Sequence, residues 1–174
     1  MKIPKKVEHL LKSKEGEAIK LDVGCGQDKQ PGFISIDWRD LKGVDIVHDL
    51  EQYPYPFENG TISFIKAVHV VEKINPLDKG FIKFMDEMWR LLEFGGQFLI
   101  STYYAGSPGY WGDPCNVNGC TQHTWCYFDP LSDTKLYKVY KPLPWKIEKS
   151  YANPDGLMEV LLSKRRPDIS YDKI

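Results

Sequence analysis

Residues 18–26 read AIKLDVGCG, an apolar stretch that predicts a buried strand followed at once by a glycine turn. Further strand-like stretches follow along the chain at residues 33–37, 44–48, 62–68 and 97–101. Strands that alternate with helical segments form parallel sheets. The sequence therefore predicts an α/β fold, with a doubly wound, mostly parallel, Rossmann-like sheet.

The pattern between the last two of these strands predicts a helix lying on the sheet. Asn75 is a suitable N-cap, Pro76 suits the first helical position, and Asp78 favours the positive end of the helix dipole. Apolar residues then recur at three- and four-residue spacing, as Phe81, Phe84, Met85, Met88, Trp89 and Leu92. Gly95 and Gly96 predict its end. A second, short amphipathic helix is predicted at residues 4–13.

The end of the chain predicts an antiparallel hairpin that closes the sheet. Residues 145–151 and 157–163 are strand-like and flank the turn sequence ANPDG. Residues 102–130, by contrast, are rich in Gly, Pro, Tyr and Cys and show little periodicity. Long irregular segments within a domain are usually functional, so this one predicts a substrate loop or lid. We expect one domain over residues 1–174.

Composition narrows the classes of function. The net charge of −1 gives no general attraction to nucleic acid, which disfavours a nucleic acid partner. No apolar run approaches the ~20 residues that a membrane-spanning helix needs. Three of the four cysteines crowd into residues 115–126, which argues against a disulfide framework and favours a cytoplasmic location.

Acidic residues follow the first three predicted strands in positions that suit a nucleoside. Gly24 and Gly26 let a ligand approach the backbone, Asp37 can accept both ribose hydroxyls, and Asp49 can accept an adenine amino group. Carboxyl ends of parallel strands are where such folds bind ligands. The sequence does not match the dinucleotide-binding fingerprint Gly-x-Gly-x-x-Gly, because Lys29 occupies the position of the third glycine. Asp37 also follows the first glycine by fewer than the usual ~20 residues. A nicotinamide oxidoreductase is therefore the weaker alternative.

Five motifs occur in the order of a known family. LDVGCG, PGFISIDW, VDIVHDL, the stretch ending HVVEK, and MWRLLEFGGQFLIS resemble the class I S-adenosylmethionine (SAM)-dependent methyltransferases, especially their small "type 11" branch. The resemblance covers roughly residues 18–102. Only residues 24–32 join the first two strands, so the family's first crossover helix must be shortened to a turn.

The resemblance implies SAM as the cofactor and assigns residues to its parts. The LDVGCG motif supplies Asp22, Gly24, Cys25 and Gly26, whose glycine turn approaches the methionine part. Asp37 contacts the ribose, Trp38 lies beside the adenine, and Asp49 with Leu50 surrounds the adenine edge. His69 follows the fourth strand and faces the active site. We also include it among the residues expected to contact the cofactor.

The expected reaction is methyl transfer to an oxygen or nitrogen of a small-molecule or surface-presented acceptor. If a base is needed, His69 and His123 are the candidates, because histidine is the side chain whose ordinary pKa lies closest to neutral pH, with Asp113 and Tyr104 as second choices. A SAM-binding protein without turnover, acting as a scaffold or regulator, would keep the same cofactor residues and is the alternative.

The residues Cys115, Cys120, His123 and Cys126 offer a second interpretation of the irregular segment. Four soft ligands can form a tetrahedral zinc site. Their spacing matches no paired Cys-x2-Cys pattern, however, which favours a substrate-side loop with incidental cysteines and no metal. The aromatic residues of the same segment can form an acceptor pocket, or they can seal a small core.

Overall fold

A single seven-stranded sheet organises the part of the chain that the computed structural model describes, which is residues 5–12, 16–166 and 171. The strands are β1 Lys20–Val23, β2 Ile34–Asp37, β3 Ile46–Val47, β4 Ile62–Val68, β5 Leu92–Tyr103, β6 Trp145–Ala152 and β7 Leu157–Lys164. Their order is β3-β2-β1-β4-β5-β7-β6. The first five are parallel, whereas β7 runs antiparallel to both β5 and β6. The predicted fold class, including the closing hairpin, is confirmed.

Four helices flank the strands in the described ranges. They are α1 Lys5–Lys12, α2 Gly80–Leu91, α3 Pro108–Gly112 and α4 Tyr137–Tyr140. Three 3₁₀ turns accompany them, at Val71–Lys73, Leu77–Lys79 and Gln122–Tyr127. The helix predicted at residues 4–13 corresponds to α1, and its two predicted end residues lie outside the described residues. None of the described helices has the length and apolar character needed to cross a bilayer.

The connection between β1 and β2 is short, as predicted. Residues 24–33 contain turns and no helix, yet the two strands are parallel, with Leu21 opposite Ile34 and Val23 opposite Ile36. The glycine turn that follows β1 therefore lies next to the end of β2.

Helix α2 begins later than its sequence pattern predicts. The backbone φ angles of Asp78 and Lys79 are positive, at 49° and 61°, so the chain reverses there instead of continuing a helix from Pro76. Asn75 does not cap α2: its Oδ1 accepts the N–H of Leu77, two residues on, at 3.0 Å, and Pro76 is the residue that precedes the 3₁₀ turn. At Gly80 a Cβ would lie 2.1 Å from the carbonyl oxygen of Asn75, which explains the glycine.

The prediction that α2 ends at Gly95 and Gly96 is also wrong. Helix α2 ends at Leu91, and β5 runs through both glycines. The pairing of β4 with β5 shifts register here, from Ile62 opposite Leu92 to Phe64 opposite Gln97. The two glycines therefore lie at an irregularity within a strand. A Cβ on Gly96 would lie 2.9 Å from the carbonyl oxygen of Glu93, which explains the glycine at that position.

The core lies between the sheet and α2 and extends beneath the segment after β5. The predicted apolar stripe of α2 is buried in full, and the Phe84 ring lies 6.4 Å from that of Phe98 on β5. Residues 102–130 contain more structure than predicted, since they include α3 and a 3₁₀ turn. Trp125 and Phe128 of this segment are buried. Much of the segment is thus part of the core.

Candidate active site

A cavity of about 230 Å³ opens beside the ends of β1, β2 and β4. It is lined by Gly24, Asp37, Trp38, Arg39, Asp49, Leu50, Glu51, His69, Val70, Lys73 and Ile74. Six of these residues are predicted from the sequence as site residues: Gly24, Asp37, Trp38, Asp49, Leu50 and His69. Parallel strands bring these residues together because each follows, or ends, a strand whose carboxyl end lies at this edge.

Gly24 forms the wall at the end of β1. Its φ is +67°, and an added Cβ would lie 2.3 Å from Cγ2 of Val70. A side chain at this position would therefore displace Val70 from the cavity wall, and it would strain the backbone as well. The glycine leaves main-chain atoms exposed to a ligand.

The other residues of the LDVGCG motif stand behind this wall and do not line the cavity. Asp22 is buried, and its Oδ2 lies 3.3 Å from Nζ of Lys66 on β4. Cys25 is half-buried, and burial raises the pKa of its thiol. Gly26 supports the site indirectly, because its N–H donates to Oδ2 of Asp37 at 2.9 Å.

Asp37, at the end of β2, accepts four hydrogen bonds. Oδ1 accepts the backbone N–H and Nε–H of Arg39 at 2.9 and 3.1 Å, and Oδ2 accepts from Gly26 at 2.9 Å and from Nη2 of Arg39 at 3.5 Å. Burial acts to raise the pKa of this carboxyl, but the bonds from Arg39 and Gly26 prevail and lower it. A carboxylate has about four lone-pair sites. In this structure, therefore, Asp37 is saturated.

Apolar and acidic groups line the rest of the cavity. Trp38 is 66% exposed, whereas Leu50 is buried. Asp49 is exposed, and its Oδ1 accepts the N–H of Glu51 at 3.0 Å. This set of groups suits a flat ring that carries an amino group at its edge.

His69 lines the cavity directly after β4. Its φ is 55°, in the left-handed region that is uncommon for a residue with a side chain. Its Nδ1 lies 3.0 Å from Oε1 of Glu72, and its ring lies 4.6 Å from that of Tyr103. Glu72 is absent from the residues predicted for the site, although its position three residues after His69 was a usable signal.

The other candidate bases lie outside the cavity wall. Asp113 is half-exposed and pairs with Nζ of Lys73, a cavity residue. The hydrogen bond from Lys73 lowers the pKa of the Asp113 carboxyl. Tyr104 is half-buried and His123 is exposed on a 3₁₀ turn, and neither lines the cavity. Within the described ranges no group of three or more His, Cys, Asp or Glu side chains can hold a metal ion, and this includes the four residues of the alternative zinc interpretation.

Hydrogen bonds hold part of the segment after β5 next to His69. The N–H groups of Val117 and Asn118 donate to the carbonyl oxygen of Glu72 at 2.8 and 2.9 Å. The amide of Asn118 donates to the carbonyl oxygen of Val71 at 2.9 Å, and Nζ of Lys73 lies 3.1 Å from Oδ1 of Asn116. These bonds hold residues 113–118 against the turn that adjoins the cavity.

Solved structures provide the comparison for this arrangement, since no protein-family model and no curated protein matches the sequence. A SAM-dependent methyltransferase from Archaeoglobus fulgidus superimposes with a TM-score of 0.62 over 91% of each chain, at 11% identity. The chain has the fold of the SAM-dependent methyltransferases.

Two further neighbours were solved with a cofactor or its product. A 16S rRNA (adenine(1408)-N(1))-methyltransferase variant from Catenulisporales acidiphilia, solved with SAM, has a TM-score of 0.60 at 14% identity over 93% of this chain and 92% of that one. The N-methyltransferase NodS from Bradyrhizobium japonicum, in complex with S-adenosylhomocysteine (SAH), has a TM-score of 0.58 at 14% identity, over 92% of this chain and 86% of that one. At these identities the likeness establishes the fold.

Proposed function

We propose that this protein is a SAM-dependent methyltransferase acting on an oxygen or nitrogen of a small-molecule or surface-presented acceptor. The observation that carries the proposal is the convergence of Asp37, Trp38 and Asp49 on one cavity beside the glycine turn after β1. Neighbours with the same fold were solved with SAM or SAH, which supports the same ligand class here.

We assign a part of SAM to each of several cavity residues. Asp37 would accept the ribose hydroxyls, Trp38 and Leu50 would enclose the adenine, and Asp49 would accept its amino group. The main chain at Gly24 would approach the methionine part, because no Cβ fits there. Asp22, Cys25 and Gly26, which do not line the cavity, would shape the glycine turn after β1.

The glycine turn suits a cofactor without phosphates. Dinucleotide sites place a pyrophosphate at the N-terminus of the helix that follows the first strand. Residues 24–33 contain no helix, so this anion site is missing at the end of β1. That difference favours SAM over a nicotinamide dinucleotide.

The residues around the cavity would act mainly by orienting SAM and the acceptor relative to each other. SAM supplies a methyl group that its sulfonium charge already activates. Correct positioning of two reactants can provide ~7–11 kcal/mol of barrier reduction, so the protein needs few catalytic groups. His69 would accept a proton from the acceptor, and residues 113–118 would form one side of the acceptor's path.

The acceptor is proposed only by its chemistry. One structural neighbour methylates 16S rRNA, so this fold also serves nucleic acid acceptors. We favour a smaller acceptor because the chain carries a net charge of −1, which offers no general attraction to RNA. All four cysteines are free thiols, which fits the reducing cytoplasm that we propose as the location.

Thermal stabilisation tests this function. A single-site ligand present at a hundred times its dissociation constant adds about 2.7 kcal/mol to the free energy of unfolding. We therefore expect SAM and SAH to raise the melting temperature and NADH to leave it unchanged. Stabilisation by NADH with no response to SAM or SAH would contradict the proposal.

Arg39 should oppose cofactor binding, because the ribose hydroxyls and its guanidinium need the same oxygens of Asp37. Partly exposed ion pairs contribute ~0.2–1 kcal/mol. We expect Arg39→Met to tighten SAH binding about twofold to fivefold by isothermal titration, with Arg39→Lys in between. Weaker binding by Arg39→Met would mean that the guanidinium contacts the cofactor instead.

A further inference from the structure

Glu72 is a fully buried carboxylate placed directly behind the cavity. It lies in the 3₁₀ turn after β4, with 0% of its surface exposed. Both side-chain oxygens are used: Oε1 lies 3.0 Å from Nδ1 of His69, and Oε2 accepts the hydroxyl of Thr102 at 2.8 Å. A carboxylate in this position costs folding free energy unless it is hydrogen-bonded, so its partners are specific.

The partner histidine carries backbone strain. The φ of His69 is 55°, and the backbone N–H of the same residue donates to the carbonyl oxygen of Ser101 at 2.8 Å. Strained backbone of this kind persists where the surrounding structure holds it, and it clusters at functional sites. His69 lines the cavity and Glu72 does not, so the histidine is the member of the pair that adjoins a ligand.

We infer that Glu72 is a positioning residue that holds His69 with its proton on Nδ1, leaving Nε2 as the proton acceptor. The inference rests on the proposed function and deepens it. An imidazole that donates from Nδ1 to a carboxylate must carry its lone pair on Nε2. Among the described contacts Nδ1 has a partner and Nε2 has none, so Nε2 is the nitrogen left for an acceptor.

This assignment specifies the acceptor chemistry. The acceptor oxygen or nitrogen forms a bond to the methyl carbon, and the carbon–sulfur bond breaks with its electron pair remaining on sulfur. The acceptor's proton passes to Nε2, and the imidazolium so formed lies beside the Glu72 carboxylate. Such a base serves a nucleophile that carries a proton, a hydroxyl or an N–H group, and not an acceptor that is already ionised.

The side chain of Glu72 can be changed without cutting the main-chain bonds of the turn. The carbonyl oxygen of Glu72, and not its carboxylate, accepts from Val117 and Asn118. Glu72→Gln keeps the size of the side chain, but the amide oxygen can accept a hydrogen bond from a protonated Nδ1, and the amide NH₂ can donate one to an unprotonated Nδ1. The variant therefore supports both imidazole tautomers, whereas the carboxylate supports one.

Nitrogen NMR of ¹⁵N-labelled histidine measures the tautomer directly, without knowledge of the acceptor. The His69 signal is assigned by its loss in His69→Gln. Because hydrogen bonds to charged groups are stronger than those between neutral groups, we expect the Nδ1–H form of neutral His69 to exceed the other by at least about tenfold. Glu72→Gln should reduce this preference to about threefold or less.

Thr102→Val is the matched control, because it removes the other hydrogen bond of the same carboxylate. It should keep the Nδ1–H form. The inference is overturned if the wild-type protein holds the Nε2–H form, if Glu72→Gln leaves the preference unchanged, or if Thr102→Val abolishes it equally. Titration with SAH separates the two proposals: binding with the wrong tautomer overturns this inference alone, whereas no SAH binding overturns the proposed function.

Discussion

Asp37→Ala should weaken SAH binding by about tenfold to a hundredfold while the protein remains folded. Two ribose hydroxyls would lose a charged acceptor, and a hydrogen bond to a charged group contributes about 1.5–3 kcal/mol. Part of this loss is offset, because the competing contact with Arg39 disappears as well. Isothermal titration of SAH into both proteins measures the effect.

Asp45→Asn is the control for Asp37→Ala. Asp45 is also a hydrogen-bonded carboxylate near β2, since its Oδ2 accepts the N–H of Ser35 at 2.9 Å and its Oδ1 lies 2.7 Å from Nζ of Lys29. It does not line the cavity. SAH affinity should therefore stay within about twofold in Asp45→Asn. Unchanged affinity in a folded Asp37→Ala protein would limit Asp37 to a structural role.

Trp125→Ala should lower the free energy of unfolding by about 3–5 kcal/mol, the usual cost of truncating a large aromatic residue in a core. Trp125 is 0% exposed, and its ring lies 6.1 Å from that of Phe81 on α2 and 6.5 Å from that of Phe128. Removing it would leave a cavity between α2 and the segment after β5. Urea unfolding at equilibrium measures the change.

Trp111 provides the comparison within the same segment, because its side chain is 76% exposed. Trp111→Ala should change the free energy of unfolding by no more than about 0.5 kcal/mol. The pair of variants separates two roles of the aromatic residues in 102–130, sealing the core and meeting an acceptor. Equal destabilisation by both variants would contradict the division seen in the structure.

The strands and their polar ends were predictable because both signals are local. Buried parallel strands read as short apolar runs, and β4 was predicted with its exact bounds, Ile62–Val68. Asp37, Asp49 and His69 could be placed near one another because they follow or end parallel strands. Their grouping around one cavity needed only that rule and the order of the strands.

The ends of α2 were not predictable, because long-range contacts decide them. Asn75 and Pro76 make a good helix start, but positive φ angles at Asp78 and Lys79 turn the chain before the helix forms. The glycines after α2 looked like a helix stop. They instead accommodate the register shift between β4 and β5, which depends on the partner strand.

Glu72 and Arg39 were missed for a related reason. The spacing of Glu72 from His69 was visible in the sequence, but the hydrogen bond that its carboxylate accepts from Thr102, thirty positions along the chain, exists only in the folded sheet. Arg39 looks like an ordinary surface residue in the sequence. Its bonds to both oxygens of Asp37 become visible only when the side chains are placed.

The central claim is that the cavity at Asp37 is a SAM site, and a structure of the protein co-crystallised with SAH tests it most directly. We expect density for SAH with both ribose hydroxyls on Asp37, the adenine between Trp38 and Leu50, and the Arg39 side chain moved off the carboxylate. SAH density elsewhere on the protein, or an Arg39 side chain still bound to both oxygens of Asp37 at saturating SAH, would contradict the account.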